Sequence, residues 1–127
     1  MKRVVFVDDS KMVLMSAEMA VKEMIEEQLI ELLKYENPAQ LFEDCMGGMH
    51  YDVLITDINM PQMNGLDLAR ELKALPHLSL KPILALTTEN ASEKKELAKE
   101  IGLVGWITKP FSSEKLTLGI KRVLKLR

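Results

Sequence analysis

The sequence predicts an α/β fold, a doubly wound five-stranded parallel sheet with helices on both faces. Three observations carry this expectation. Apolar, strand-like runs alternate with helix-periodic stretches along the chain, and parallel neighbours need right-handed crossovers of that kind. Val53-Leu54-Ile55 is apolar without alternation, as suits a central strand covered on both faces. Three runs end in charge: Val4 to Val7 meets Asp8-Asp9, Val53 to Thr56 meets Asp57, and Gly105 to Thr108 meets Lys109. In a parallel sheet those ends share one rim, so three carboxylates and an ammonium converge where open α/β sheets place their ligand crevice.

Strand one spans Lys2 to Val7. A helix follows, with Val13, Ala17, Ala20, Val21 and Met24 at helical spacing and Met12, Met15 and Met19 widening the stripe. So wide a band reads as core against the sheet, the alternative being a Met-rich docking face. Leu29 to Tyr35 fits strand or helix and is read as strand two, because Asn37-Pro38 then opens a new element. A short helix from Ala39 to Met46 stops at Gly47-Gly48. Strand three spans Asp52 to Thr56, and the turn formers Asn59, Pro61, Asn64 and Gly65 make Asp57 the opening of a loop. Leu68, Ala69, Leu72 and Leu75 mark a third helix, closed by Pro76. Strand four is Pro82 to Thr87, and Asn90 with Glu93 has the spacing of a capping pair for a fourth helix carrying Leu97, Ala98 and Ile101. Strand five covers Val104 to Ile107. Ser112 or Ser113 caps a fifth helix with Leu116, Ile120, Val123 and Leu124 inward and Lys121, Arg122, Lys125 and Arg127 near its negative end.

Residues 1–127 are the length of one domain that can bury a full core without staples. With 47% hydrophobic and 28% charged residues the composition is that of an ordinary soluble chain. A formal charge of −2 gives no general attraction to nucleic acid or anionic membrane. The single Cys45 excludes an internal disulfide and suits a reducing compartment. The opening residues lack a signal-peptide apolar core, and no run is long enough to span a membrane. A cytoplasmic monomer is the expectation.

Three carboxylates within a few ångströms repel, and desolvation aggravates the repulsion. A divalent cation resolves it, and a ligand set of hard oxygens favours Mg2+, or Mn2+, over zinc. Lys109 adds a point charge and the Thr87 hydroxyl a donor. Such a rim receives a phosphoryl group, whose transfer is mostly positioning and charge neutralisation. Asp57 is then the nucleophile and forms an aspartyl phosphate. Singly, each residue has a plainer reading: Asp8-Asp9 as a strand-to-helix turn, Thr87 as a strand end, Lys109-Pro110 as a loop.

Val7-Asp8-Asp9-Ser10, Asp57-Ile58-Asn59-Met60-Pro61 with Gly65, Thr87, and Lys109-Pro110-Phe111 stand in the order and spacing of a known family. Over essentially its whole length the chain resembles the receiver domains of two-component response regulators, particularly the stand-alone chemotaxis type. The resemblance implies a flavodoxin-like, receiver-type fold and phosphoryl transfer from a histidine kinase to Asp57. It implies Mg2+ held by Asp9, Asp57 and the Asn59 carbonyl, with Asp8 acting through water. Lys109 and Thr87 would hold the phosphoryl oxygens, and the Lys109-Pro110 bond would be cis. Such a chain is a signalling phosphoacceptor that assists its own phosphotransfer and dephosphorylation, not an enzyme in the ordinary sense. On phosphorylation Thr87 would move toward the phosphoryl group and Trp106 would turn inward, switching the face made by the fourth helix, fifth strand and fifth helix. Asn59 and Glu89 would position the attacking water. Two positions depart from the family pattern: Trp106, where Tyr or Phe is more usual, and Thr88, where Ala or Gly is.

Two rival readings use similar parts. A Mg2+-dependent phosphohydrolase also has a strand-end Asp nucleophile but needs a second acid and a cap domain, whereas position 59 is Asn and 127 residues leave no room for a cap. A flavin carrier of the same topology would need a phosphate loop after strand one, where Asp8-Asp9 would repel the phosphate. With no effector domain following, output is expected through a protein contact. A flagellar switch leads, and a phosphate sink or relay intermediate is second. The basic end of the last helix is read as a solvated face, without a nucleic-acid role.

Overall fold

The computed structural model describes residues 1–88 and 92–126, with backbone alone at 92 and 93. The strands are β1 (Lys2–Val7), β2 (Ile30–Tyr35), β3 (Val53–Asp57), β4 (Ile83–Thr87) and β5 (Gly105–Thr108). The helices are α1 (Lys11–Ala20), α2 (Lys22–Glu26), α3 (Pro38–Met46), α4 (Gly65–Lys73), α5 (Ser92–Ile101) and α6 (Ser113–Leu124), with a single 3-10 turn at Pro76–Leu78. All strand pairs are parallel, in the order β2-β1-β3-β4-β5. The predicted doubly wound sheet is therefore present.

Alternate residues of each strand supply two cores, the period-2 consequence of a sheet covered twice. Val4, Phe6, Val53, Ile55, Leu84 and Leu86 pack with Leu14, Ala17 and Met24 of α1 and α2 and with Leu116 and Ile120 of α6. Val5, Val7, Leu54 and Ile83 face the other way, against Leu41 and Cys45 of α3 and Leu68, Ala69 and Leu72 of α4. Four helix starts carry side-chain caps. Ser10 accepts from the Val13 amide, Asn37 from Ala39, Asn64 from Leu66 and Ser112 from Lys115. The Asn90–Glu93 pair lies outside the described side chains.

Two expectations fail on the first helix. It is two helices, because at Val21 the backbone opens to φ −108° and ψ 14°. At that break the Ala20 carbonyl accepts from Ser113 Oγ at 2.6 Å and Thr117 Oγ1 at 3.4 Å, both on α6. Donors from another element at a helix's last carbonyls are a known cause of such breaks. The methionine stripe is not core: Met12, Met15 and Met19 are 78%, 62% and 75% exposed. The buried stripe runs through Leu14, Ala17, Val21 and Met24, and a sheet covers only one side of a helix. The three methionines repeat at the same helical period on the far side.

Candidate functional site

The strand order reverses at β1, so the crevice opens between the carboxyl ends of β1 and β3. Asp8 follows β1 and turns the chain, its Oδ1 accepting from the Ser10 amide at 2.9 Å. That turn leaves Asp8 0% exposed, with Oδ2 buried and without an aligned hydrogen bond. Asp57 ends β3 and is 4% exposed. The loop after it folds back so closely that a Cβ on Gly65 would lie 1.9 Å from the Asp57 carbonyl oxygen, which only glycine tolerates. The Gly65 amide closes this turn on the Ile58 carbonyl at 2.8 Å. Asp9 stands exposed at the mouth, and one carboxylate oxygen from each of Asp8, Asp9 and Asp57 lies within 4.8 Å of the others.

Lys109 completes the rim. Its amide donates to the Thr87 carbonyl at 2.8 Å, extending the β4–β5 ladder, and the Lys109-Pro110 bond is cis as expected. Its Nζ lies 2.8 Å from Asp8 Oδ2 and 3.3 Å from Asp57 Oδ1, with the side chain 17% exposed. Burial pushes the Asp57 carboxyl above its ordinary range and the Asp8 charge pushes it further. Lys109 and the Asn59 amide offset part of this. Burial works against the Lys109 charge, but Asp8 and Asp57 outweigh it and hold the ammonium above its usual range.

Three acids against one cation leave a local surplus of negative charge in a desolvated crevice. The surplus of carboxylate and the all-oxygen donor set of Asp8, Asp9 and Asp57 fit a hard divalent cation, Mg2+ or Mn2+, and give no soft ligand for zinc.

Thr87 is buried at the end of β4, while Thr88 is exposed beside it. Asn59 is exposed at the mouth and its Oδ1 accepts from Lys94 Nζ at 2.9 Å. Trp106 packs half-buried against Ile58, Leu66, Ala85 and Ala98. Its Nε1 is buried without an acceptor, and Lys95 Nζ sits 5.8 Å from the ring centroid. Glu89 falls outside the described residues. Sequence reasoning passed over Lys94 and Lys95. The available signal was two cations in the first turn of α5, the helix end where the macrodipole disfavours positive charge.

The Response regulator receiver domain family model matches residues 4–121. The chain belongs to the response regulator receiver domains, and chemotaxis CheY proteins are among those it resembles. It is 34% identical to chemotaxis protein CheY1 of Helicobacter pylori over 94 residues, covering 74% of this chain and 76% of that protein. Chemotaxis response regulator CheY4 of Vibrio cholerae superposes with a TM-score of 0.86 at 31% identity, over 98% of this chain and 99% of that one. A Pseudomonas aeruginosa sensor-kinase receiver domain, solved with a magnesium ion in its active-site cleft, has a TM-score of 0.83 at 19% identity, covering 98% of each chain. The last likeness is one of fold. A CheY-like receiver domain is a signalling phosphoacceptor of two-component systems, not a conventional enzyme.

Proposed function

We propose that Asp57 accepts a phosphoryl group from the phosphohistidine of a histidine kinase, and that this switches the α5–β5–α6 face for a protein partner. The observation that carries the reading is the unequal rim: buried Asp8 and Asp57 with exposed Asp9, and Lys109 2.8 Å from Asp8 and 3.3 Å from Asp57. An Asp57 oxygen attacks phosphorus, the P–N bond to the histidine breaks, and the electron pair returns to the imidazole. Mg2+, or Mn2+, held by Asp8, Asp9, Asp57 and the Asn59 carbonyl, neutralises charge on the phosphoryl oxygens when bound. Lys109 binds one of those oxygens from the opposite side, and the Thr87 hydroxyl binds another. Water later hydrolyses the acyl phosphate, positioned by Asn59 and Glu89.

The Thr87 movement carries the signal. As its hydroxyl turns to the phosphoryl group, the indole of Trp106, whose strand register sets it opposite Ala85, turns into the vacated space. Thr88 crowds the phosphoryl side of β4, and Pro110 follows Lys109 as the chain leaves the rim. The partner is a protein target in a chemotaxis-type pathway, with a flagellar switch first. A phosphate sink or relay is the alternative that partner capture with and without beryllofluoride separates.

The test uses radiolabelled donor kinase on the wild type and on Asp57→Asn. The wild type takes label at one site and its Trp106 emission changes with Mg2+ and beryllofluoride, while D57N takes none. Full label on D57N overturns the assignment. Flat emission in a labelled wild type removes Trp106 from the switch.

A further inference from the structure

Lys94 reaches from α5 toward the site. It lies in the first turn of α5, where a cation opposes the helix dipole, yet its ammonium reaches the crevice mouth and donates to Asn59 Oδ1 at 2.9 Å. The polarity of that contact is informative. An ammonium only donates, so it takes the oxygen of the carboxamide and turns the NH2 edge away from itself. Asn59 follows Asp57 by two residues, and its main-chain amide already hydrogen-bonds the Asp57 carboxylate. That amide sets residue 59 at the edge of the group that carries phosphorus in the reading above.

Hydrolysis of an aspartyl phosphate joins a water oxygen to phosphorus, breaks the bond to the carboxylate oxygen and sheds the water's protons to phosphate and solvent. A neighbouring acceptor that takes a hydrogen bond from that water aligns it and raises its nucleophilicity. Asn59 Oδ1 is such an acceptor, and Lys94 occupies it. We propose that Lys94 is a positioning residue that prolongs the phosphorylated state by engaging Asn59 Oδ1 and withholding it from the attacking water. The inference rests on Asp57 being the phosphoacceptor. Because Lys94 belongs to α5, part of the output face, a partner that shifts this helix changes the contact and hence the lifetime of the signal.

The experiment loads wild type, Lys94→Ala and Lys94→Arg with acetyl phosphate and Mg2+, removes the donor and follows decay of the label. K94A loses phosphate about threefold to tenfold faster, the rate equivalent of one net hydrogen bond. K94R, which still donates to Oδ1, decays like the wild type. In an Asn59→Ala background, K94A changes nothing further, as a double-mutant cycle requires of a residue acting through Asn59. In metal-free protein the side-chain amide resonances of Asn59 shift in K94A and hold in K94R. Equal decay of K94A and a labelled wild type, or the same acceleration with Asn59 absent, overturns the role of Lys94 alone. A wild type that takes no label overturns the phosphoacceptor reading and this inference with it.

Discussion

At the amino ends of the strands, Arg3 pairs with Glu31 through its guanidinium and donates its amide to Asp52 Oδ2 at 2.7 Å, while Lys81 lies 3.7 Å from Asp52 Oδ1. Two cations meet two acids there, all partly open to water. At the carboxyl ends of the same sheet Asp8, Asp9 and Asp57 face Lys109, and Asp8 and Asp57 are almost wholly buried. One rim is neutral and solvated and the other is charged and desolvated. The backbone that builds them is continuous, so the contrast lies in side-chain chemistry. Charge balance serves stability, and a buried imbalance marks the place where a ligand completes the structure.

The contrast breaks most severely at Asp57. Asp57→Asn abolishes phosphoryl labelling, and it also raises Tm by a few degrees at pH 7. Burial and Asp8 raise the folded-state carboxyl above its ordinary range, so the folded chain binds that proton more tightly than the unfolded one. The contribution of Asp57 to stability is therefore fully present below the unfolded value and is lost as pH rises through the folded one. At neutral pH the ionised group is a net burden that asparagine removes. Melting curves across pH check this, with the gain closing as pH falls toward 3.8.

Next in size is Lys109→Met, which leaves Asp8 and Asp57 without their cation. It destabilises the chain by about 2 kcal/mol in EDTA, less than a fully buried pair would because the side chain is partly hydrated. Mg2+ at a hundredfold excess over its Kd stabilises the variant by about 2.7 kcal/mol, enough to offset that loss, while labelling stays severely impaired. Denaturant melts with and without Mg2+ separate the two effects.

The smallest change comes from the balanced rim. Arg3→Gln costs about 0.5 kcal/mol, screened further by salt, as an exposed ion pair predicts. Its labelling rate matches the wild type, and a loss there would mean that the two rims are not independent.

How far the sequence anticipated this molecule follows from how local each cause is. β1 over Lys2–Val7 and the cap at Ser112 depend on near neighbours and were legible, whereas the caps at Ser10 and Asn64 were not singled out. The convergence of Asp8, Asp9, Asp57 and Lys109 was legible because a parallel sheet brings its strand ends to one rim. The break at Val21 was not, since its partners Ser113 and Thr117 lie on α6, far along the chain. Nor was the outward face of Met12, Met15 and Met19, because a helical period does not say which of two apolar stripes meets the sheet. Lys94 and Lys95 were hidden for the first reason, their targets Asn59 and Trp106 being assembled by the fold.

The close approach of Gly65 to Asp57 has an engineering consequence. In the function proposed above, the side chains of Asn59, Thr88, Lys94 and Trp106 are the positions to exchange for a change of timing or partner choice. Position 65 has no such latitude, because any side chain there would dislodge the peptide of Asp57. A designer adjusting this timer can replace every dial around the mainspring but must leave its anchoring pin in place.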